Sequence, residues 1–169
     1  MEIADTISYI RNNELKKLIA LYKSEPNEKN PLSLGYDKDS IIKDIQAINE
    51  YRNMSHDNDR ELTICIVAVM CHQTLKSNID TLKELGYEDI TEFEIYTIFS
   101  SIHSLKNIAE YKELDIKEYK ISTCGDIKVC SKCSKHHNKK YLVSEAVLRK
   151  TMPPFCDKCR CVMLPQFDL

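Results

Sequence analysis

The sequence predicts a mainly α-helical protein, in which a bundle of about four helices is followed by a small α+β module. Apolar residues recur at helical spacing through most of residues 3–111, whereas strand-forming residues are grouped after Tyr119. Six of the eight cysteines also follow residue 120. We therefore predict two domains, a helical domain over 1–117 and a cysteine-rich module over 118–169.

The composition is that of an ordinary globular chain. Of the 169 residues, 43% are hydrophobic and 30% are charged, and the formal net charge is -2, so no bulk attraction to a polyanion is expected. The charge is uneven, because residues 121–169 carry nine Lys and Arg against four Asp and Glu. The longest apolar stretch, Ile64–Cys71, is too short to span a bilayer, which needs roughly 20 residues. We expect no membrane partner and, since no leader pattern is recognisable, an intracellular location.

Apolar residues at spacings of three to five predict the first helix, over residues 3–23. Residues 24–36 contain two prolines and a glycine among polar neighbours, which is typical of an exposed loop. Asp37 is the expected N-cap of a second helix, which has isoleucines on one face and ends at the polar run 53–59.

The most apolar segment of the chain, 59–85, predicts a third helix at the centre of the core. It ends at Gly86, where a left-handed C-terminal cap costs least. Cys65 and Cys71 lie on this segment at helical spacing beside aliphatic residues, so we interpret both as core packing. His72 has no ligand-type neighbour at helical spacing, and we interpret it as a structural histidine.

Thr91 and Glu94 have the spacing of a capping box, which predicts that a fourth helix begins here and reaches about Tyr111. His103 is isolated on it and is interpreted as structural, and His56 is assigned to a solvated turn rather than a metal site. No Gly-rich phosphate loop or metalloprotease-type motif occurs, so the helical part predicts no catalysis. The expected buried face of the fourth helix consists of Phe93, Ile95, Ile98, Phe99, Ile102 and Leu105.

The C-terminal module begins with a strand pattern. Gly125 and Asp126 predict a tight hairpin turn, because strand-forming residues flank them on both sides. These strand formers are Ile121, Thr123, Ile127 and Val129. Two Cys-x-x-Cys pairs follow, separated by 22 residues.

Two such pairs are typical of a tetrahedral zinc site, because each pair can wrap its backbone around one edge of the tetrahedron. Disulfides are the weaker interpretation in a chain without a secretion signal. Four thiolates around Zn²⁺ leave about two negative charges, which neighbouring cations could offset. These cations are Lys132, Lys135, Lys158 and Arg160. We predict one structural Zn²⁺ ion, bound by Cys130, Cys133, Cys156 and Cys159 in a zinc-ribbon-like module.

The fourth ligand is open to alternatives. Cys161 competes with Cys159, and His136 or His137 could also substitute, while Cys124 is interpreted as a spare thiol. The two histidines also suggest a nuclease of the His-Asn-His type. That motif needs a later histidine, and none follows in the sequence. Cys-x-x-Cys pairs occur in thiol oxidoreductases as well, where they open a helix in a βαβ unit that this pattern does not predict. We therefore predict that the chain is not an enzyme.

The order of features in the module is itself informative. A strand with Thr123 and a Gly-Asp turn precedes the first cysteine pair, and Tyr141–Val143 then predicts a short strand and residues 144–149 a small helix. Pro153 and Pro154 follow, before a final Cys-x-x-Cys-Arg-Cys. In this order, residues 119–165 resemble the C-terminal module of the phage head morphogenesis family, the Mu F-like minor head proteins. That family usually has His-Pro-Asn where this chain has Cys-Asp-Lys, and the exchange of His for Cys keeps a metal ligand.

The resemblance implies a non-enzymatic phage-type accessory or minor head protein that takes part in virion assembly. Its partner would be a capsid or portal protein, and its location the cytoplasm of the host cell and the virion. The alternative is a small zinc-binding interaction or regulatory protein that acts on another protein, or on nucleic acid through the basic tail.

Overall fold

The computed structural model describes residues 3–12, 14–24, 38–54, 59–70 and 74–167. It confirms a mainly helical protein, and it shows a small three-stranded antiparallel sheet near the C-terminus. The helices are α1 (Ile3–Arg11), α2 (Leu15–Ser24), α3 (Lys38–Met54), α4 (Asp59–Met70), α5 (Leu75–Glu84), α6 (Glu92–Glu113) and α7 (Ser131–Ser134). The strands are β1 (Glu118–Ser122), β2 (Lys140–Leu142) and β3 (Val162–Gln166).

Two of the predicted helices are each divided in the structure. Residues 3–23 form α1 and α2, and the amide of Glu14 donates to the Tyr9 carbonyl at 2.9 Å where the chain turns between them. Residues 59–85 form α4 and α5, because Thr74 takes an extended conformation and accepts a hydrogen bond from the Ser77 amide as the N-cap of α5. The predicted loop 24–36 beyond Ser24, the Asp37 cap, His56, Cys71 and His72 lie outside the described residues.

The ends of the helices otherwise follow the local signals. Gly86 has a φ of +94°, as expected after a helix. Thr91 caps α6 by accepting a hydrogen bond from the Glu94 amide at 3.2 Å. Cys65 is buried in the core, as predicted. Within the described residues, no helix is both long and apolar enough to cross a membrane.

The longest helix, α6, lies against both α3 and α4 and reaches the C-terminal sheet. The aliphatic residues of its predicted face are buried, but Phe93 and Phe99 are 48% and 43% exposed. Together with Tyr96, which is 45% exposed, they form a row of aromatic rings with a spacing of three residues. The prediction that both phenylalanines are buried is wrong, because the isoleucines at neighbouring positions occupy the side that faces the core.

The sheet has the order β2-β1-β3. Its central strand buries Tyr119 and Ile121 completely, as its alternation predicts. The predicted hairpin around Gly125 is wrong: β1 is hydrogen-bonded to β2 and β3, and Ile127 is fully exposed. Instead, the Asp126 carboxylate accepts hydrogen bonds from the Lys128 amide and from the Arg160 guanidinium, which holds this segment as a turn.

Between β2 and β3 the chain is mostly irregular. The predicted small helix over 144–149 is absent, and in its place Val143–Glu145 form a single 3₁₀ turn. Leu148 then forms an isolated bridge with Met152. The peptide bond between Pro153 and Pro154 is cis.

Hydrogen bonds connect the C-terminal segment to α6. The Tyr111 hydroxyl donates to the Met163 carbonyl at 3.0 Å, and Thr97 donates to the Asp157 carbonyl at 3.1 Å. The buried apolar residues of both parts form one hydrophobic cluster. Although β1 begins at Glu118, close to the predicted domain boundary, the division into domains over 1–117 and 118–169 stays a prediction.

Candidate metal centre

The first cysteine pair is positioned by α7. Cys130 has an extended backbone conformation and is the N-cap of this short helix. Its sulfur accepts a hydrogen bond from the Cys133 amide, with an N-to-Sγ distance of 3.4 Å. The one-turn helix places the side chains of Cys130 and Cys133 on the same side. Cys133 is 4% exposed, so its sulfur lies in the interior of the module.

The second pair lies on the loop that leads into β3. The amide of Cys159 donates to the Cys156 carbonyl at 3.0 Å, which closes a tight turn between these two cysteines. Phe155, directly before the turn, is buried and stacks on the His136 ring with centroids 3.7 Å apart. This contact holds the loop against the segment that follows α7.

The two pairs bring their sulfur atoms together. Cys156 Sγ lies 3.4 Å from Cys130 Sγ and 3.6 Å from Cys133 Sγ. Cys133 Sγ also lies 3.7 Å from Cys159 Sγ. In a tetrahedron with metal–sulfur bonds of about 2.3 Å, neighbouring sulfurs are roughly 3.8 Å apart, so these spacings suit a bound metal ion.

Five cysteines take part in this cluster, one more than predicted. Within the described residues, two groups of three sulfurs lie within 4.8 Å of one another. The first group is Cys130, Cys133 and Cys156, and the second is Cys133, Cys159 and Cys161. Cys133 belongs to both groups and is the link between them. These cysteines could therefore hold a metal ion.

Hydrogen bonds distinguish the sulfurs of the second group. The pKa of Cys159 depends first on hydrogen bonding with the Cys161 side chain, and further on backbone groups of Phe155 and Cys161. These bonds lower the pKa of Cys159 to about 5, despite its burial. The same bond to Cys159, followed by burial, raises the pKa of Cys161.

The first group has a similar division. The pKa of Cys130 is lowered by the hydrogen bond from the Cys133 amide and by the bond with Cys156. Burial raises the pKa of both Cys133 and Cys156. Metal binding would therefore have to displace protons from the buried thiols, so that metal affinity falls with acidity.

A cavity of about 100 Å³ opens onto the cluster. Among the residues that line it are Cys130, Cys133, Cys156 and Cys161, together with the exposed Cys124. The cations predicted to offset thiolate charge are partly engaged elsewhere. Arg160 forms two hydrogen bonds with the Asp126 carboxylate, at 2.6 and 2.8 Å, and the Lys158 ammonium lies 4.3 Å from the centre of the Phe93 ring.

Both candidate histidines of this segment bond to other groups. His136 Nδ1 lies 2.7 Å from the Tyr141 hydroxyl, and His137 Nδ1 lies 3.0 Å from the Thr123 hydroxyl. Neither histidine belongs to the sulfur groups found within the described part of the chain. The structure therefore gives no support to a histidine ligand in place of Cys159.

The sequence analysis named four of the five clustered cysteines as ligands and the fifth, Cys161, as an alternative to Cys159, and it missed one contributor, Phe155. The alternative ligand Cys161 lies inside the cluster, and Phe155 supports the loop that carries Cys156. The Cys-Arg-Cys spacing was the available signal for Cys161. No signal identified the stacking of Phe155 on His136, because the two residues are far apart in the sequence.

Comparison with known proteins returns no match: no family model, curated protein or solved structure is similar to this chain.

Proposed function

We propose that the chain is a non-enzymatic protein whose C-terminal module is held together by one structural zinc ion. The observation that supports this most strongly is the convergence of two Cys-x-x-Cys pairs, with sulfur-to-sulfur distances of 3.4 to 3.7 Å. Thiolate clusters of this kind favour Zn²⁺ over the oxygen-binding ions Mg²⁺ and Ca²⁺. Cys130, Cys133, Cys156 and Cys159 would be the ligands.

The choice of Cys159 over Cys161 rests on the Cys-x-x-Cys spacing with Cys156 and on the distance of 3.7 Å between the sulfurs of Cys159 and Cys133. Four protein ligands leave no coordination position for water or substrate, which is the arrangement of structural rather than catalytic zinc. A thiol oxidoreductase is disfavoured, since the strands around this site are antiparallel and α7 has only four residues.

As biological role, we propose assembly with another protein, as a phage-type accessory or minor head protein. The order of motifs in residues 119–165 supports this proposal, and so does the aromatic row of Phe93, Tyr96 and Phe99. Exposed aromatic side chains are enriched at protein interfaces. A groove of about 370 Å³ adjoins this row, and it is lined by Phe93, Tyr96 and the cations Lys158 and Arg160 among others.

The experiment for this role is co-expression with the portal or major capsid protein encoded in the same genome. We expect co-purification through an affinity tag on this chain, and loss of it when Phe93 and Tyr96 are both changed to Ala. Leu114→Ala is the matched control, because Leu114 is 69% exposed but lies outside the row. Failure of the wild-type chain to retain either protein would contradict the assembly role.

Nucleic-acid binding is the second candidate, and it is supported by the basic excess of residues 121–169. It predicts that the purified chain retains DNA or RNA in a salt-dependent manner. The affinity should fall steeply between about 50 and 200 mM salt, because Lys and Arg side chains that contact phosphates release bound counterions. Salt-dependent retention without any capsid or portal binding would favour this candidate over assembly.

A further inference from the structure

The five clustered sulfurs divide into two sets of three that have one sulfur in common. Among the residues that the structure describes, Cys130, Cys133 and Cys156 form the first set. Cys133, Cys159 and Cys161 form the second, and the sulfurs of each set lie within 4.8 Å of one another. A single site with four cysteines leaves one sulfur of the second set without a metal ion, so it does not account for the whole cluster.

The number of sulfurs limits which ions could occupy both sets at once. Two Zn²⁺ ions that share one thiolate would need seven ligands, because each ion is four-coordinate. Two three-coordinate ions that share one thiolate need five ligands, which is the number of clustered sulfurs. Soft thiolate ligands select Cu⁺ as well as Zn²⁺, and Cu⁺ accepts three sulfurs. Two sets of three sulfurs therefore match a pair of Cu⁺ ions.

Ions can reach both sets from the cavity of about 100 Å³ beside the cluster. All three cysteines of the first set line this cavity, and so do Cys133 and Cys161 of the second set. The remaining member of the second set, Cys159, is 2% exposed. An ion in the second set would therefore be shielded from water, whereas an ion in the first set would lie at the wall of the cavity.

The charge of the surroundings suits an anionic cluster. Five thiolates with two monovalent cations leave about three negative charges, about one more than four thiolates leave around Zn²⁺. Lys128 and Lys158 line the same cavity and supply positive charge there. Nearby cations of this kind lower the cost of gathering thiolates in a partly buried place.

We propose that the cluster is also a site for two Cu⁺ ions, one in each set, with the Cys133 thiolate as the bridge between them. This inference uses the same cysteines as the proposed structural zinc, but it does not require zinc to be bound. Binding involves no oxidation or reduction. Copper stays Cu⁺, two copper–sulfur bonds form at Cys133 and one forms at each of the other four cysteines, and each thiol releases its proton to solvent.

Anaerobic titration of the reduced chain with Cu⁺ tests this inference, in the presence of a Cu⁺ chelator that removes weakly bound ions. Native mass spectrometry counts the ions that stay bound. We expect two ions in the wild type and in the control Cys124→Ser, because Cys124 is exposed and belongs to neither set. Cys130→Ser and Cys161→Ser each remove one sulfur from one set only, so we expect one ion in each of these variants.

X-ray absorption at the copper edge gives a second readout, because it reports the atoms around each bound ion. In the wild type we expect three sulfur neighbours for each copper and a short copper–copper distance, since both ions share Cys133. In Cys161→Ser the copper–copper signal should disappear, while the single remaining ion keeps its three sulfur neighbours.

A number of Cu⁺ ions other than two in the wild type, or other than one in either single variant, would overturn the inference. Two wild-type ions without a copper–copper signal would also overturn it, because Cys133 would then not be shared. Zinc content is measured on the same preparations. A chain that binds one zinc ion but not two Cu⁺ ions would leave the structural zinc site standing, whereas two Cu⁺ ions without any zinc binding would refute that site alone.

Discussion

Replacement of Cys133 by Ser is expected to abolish zinc binding and to unfold the C-terminal module. Cys133 is the sulfur shared by both groups in the cluster, and it is almost completely buried. Structural zinc contributes roughly 10 to 16 kcal/mol of apparent binding free energy in zinc-finger peptides. The module has only three short strands and a one-turn helix, so its own packing is small beside that contribution.

Amide hydrogen exchange measured by mass spectrometry is the readout for this variant. We expect protection to be lost in β1, β2 and β3, and a strong chelator to have the same effect on the wild type. The central part of α6 should stay protected, because α3 and α4 cover it. Cys124→Ser is the matched control and should behave as the wild type. Unchanged protection of the three strands in Cys133→Ser would show that the module folds without metal.

Replacement of Lys106 by Met is expected to destabilise the helical part by about 3 kcal/mol or more. The Lys106 ammonium lies 2.8 Å from a carboxylate oxygen of Asp44, and the two side chains are only 17% and 7% exposed. The variant therefore removes the positive charge opposite a buried carboxylate. This pair connects α3 to α6, so its loss should lower the midpoint of urea unfolding.

The matched control is Lys43→Met, which removes a lysine that bridges the same two helices. Lys43 lies 3.3 Å from both Glu110 and Glu113, but its side chain is 31% exposed, so solvent screens these pairs. We expect a much smaller change in the urea midpoint for this control. If the two substitutions lowered the urea midpoint equally, burial would not be the reason that the Lys106–Asp44 pair stabilises the protein.

Local signals in the sequence were sufficient for most of the helices. The isoleucines of α3, the cap at Thr91 and the glycine after α5 all act over one or two turns, so they can be recognised without tertiary information. The divisions within residues 3–23 and 59–85 were missed. A single Thr cap such as Thr74 is a weak signal inside an apolar segment, and tertiary packing decides whether a helix continues through it.

The arrangement of the sheet depended on contacts that are distant in the sequence. Ile127 and Val129 have the composition of a strand, but Arg160, more than 30 residues later, binds Asp126 and holds the intervening segment as a turn. Similarly, Phe93 and Phe99 are as apolar as their buried neighbours, and only the packing of α6 on α3 and α4 determines which side faces outward. Periodicity alone does not provide this information.

The candidate metal centre was more predictable than the fold around it. Each Cys-x-x-Cys pair specifies its local geometry, and a cluster follows once the two loops meet. The sequence could not decide between Cys159 and Cys161 as a ligand, because the two cysteines are only two residues apart. That distinction depends on where the loop before β3 places each sulfur relative to Cys133.

Elemental analysis of the purified, freshly reduced protein tests the central claim most directly. It should be performed beside a variant in which Cys130 and Cys156, one residue from each pair, are both changed to Ser. The account predicts one zinc ion per wild-type chain and none in the variant. The absence of metal from the wild type, or equal zinc content in the two proteins, would contradict it.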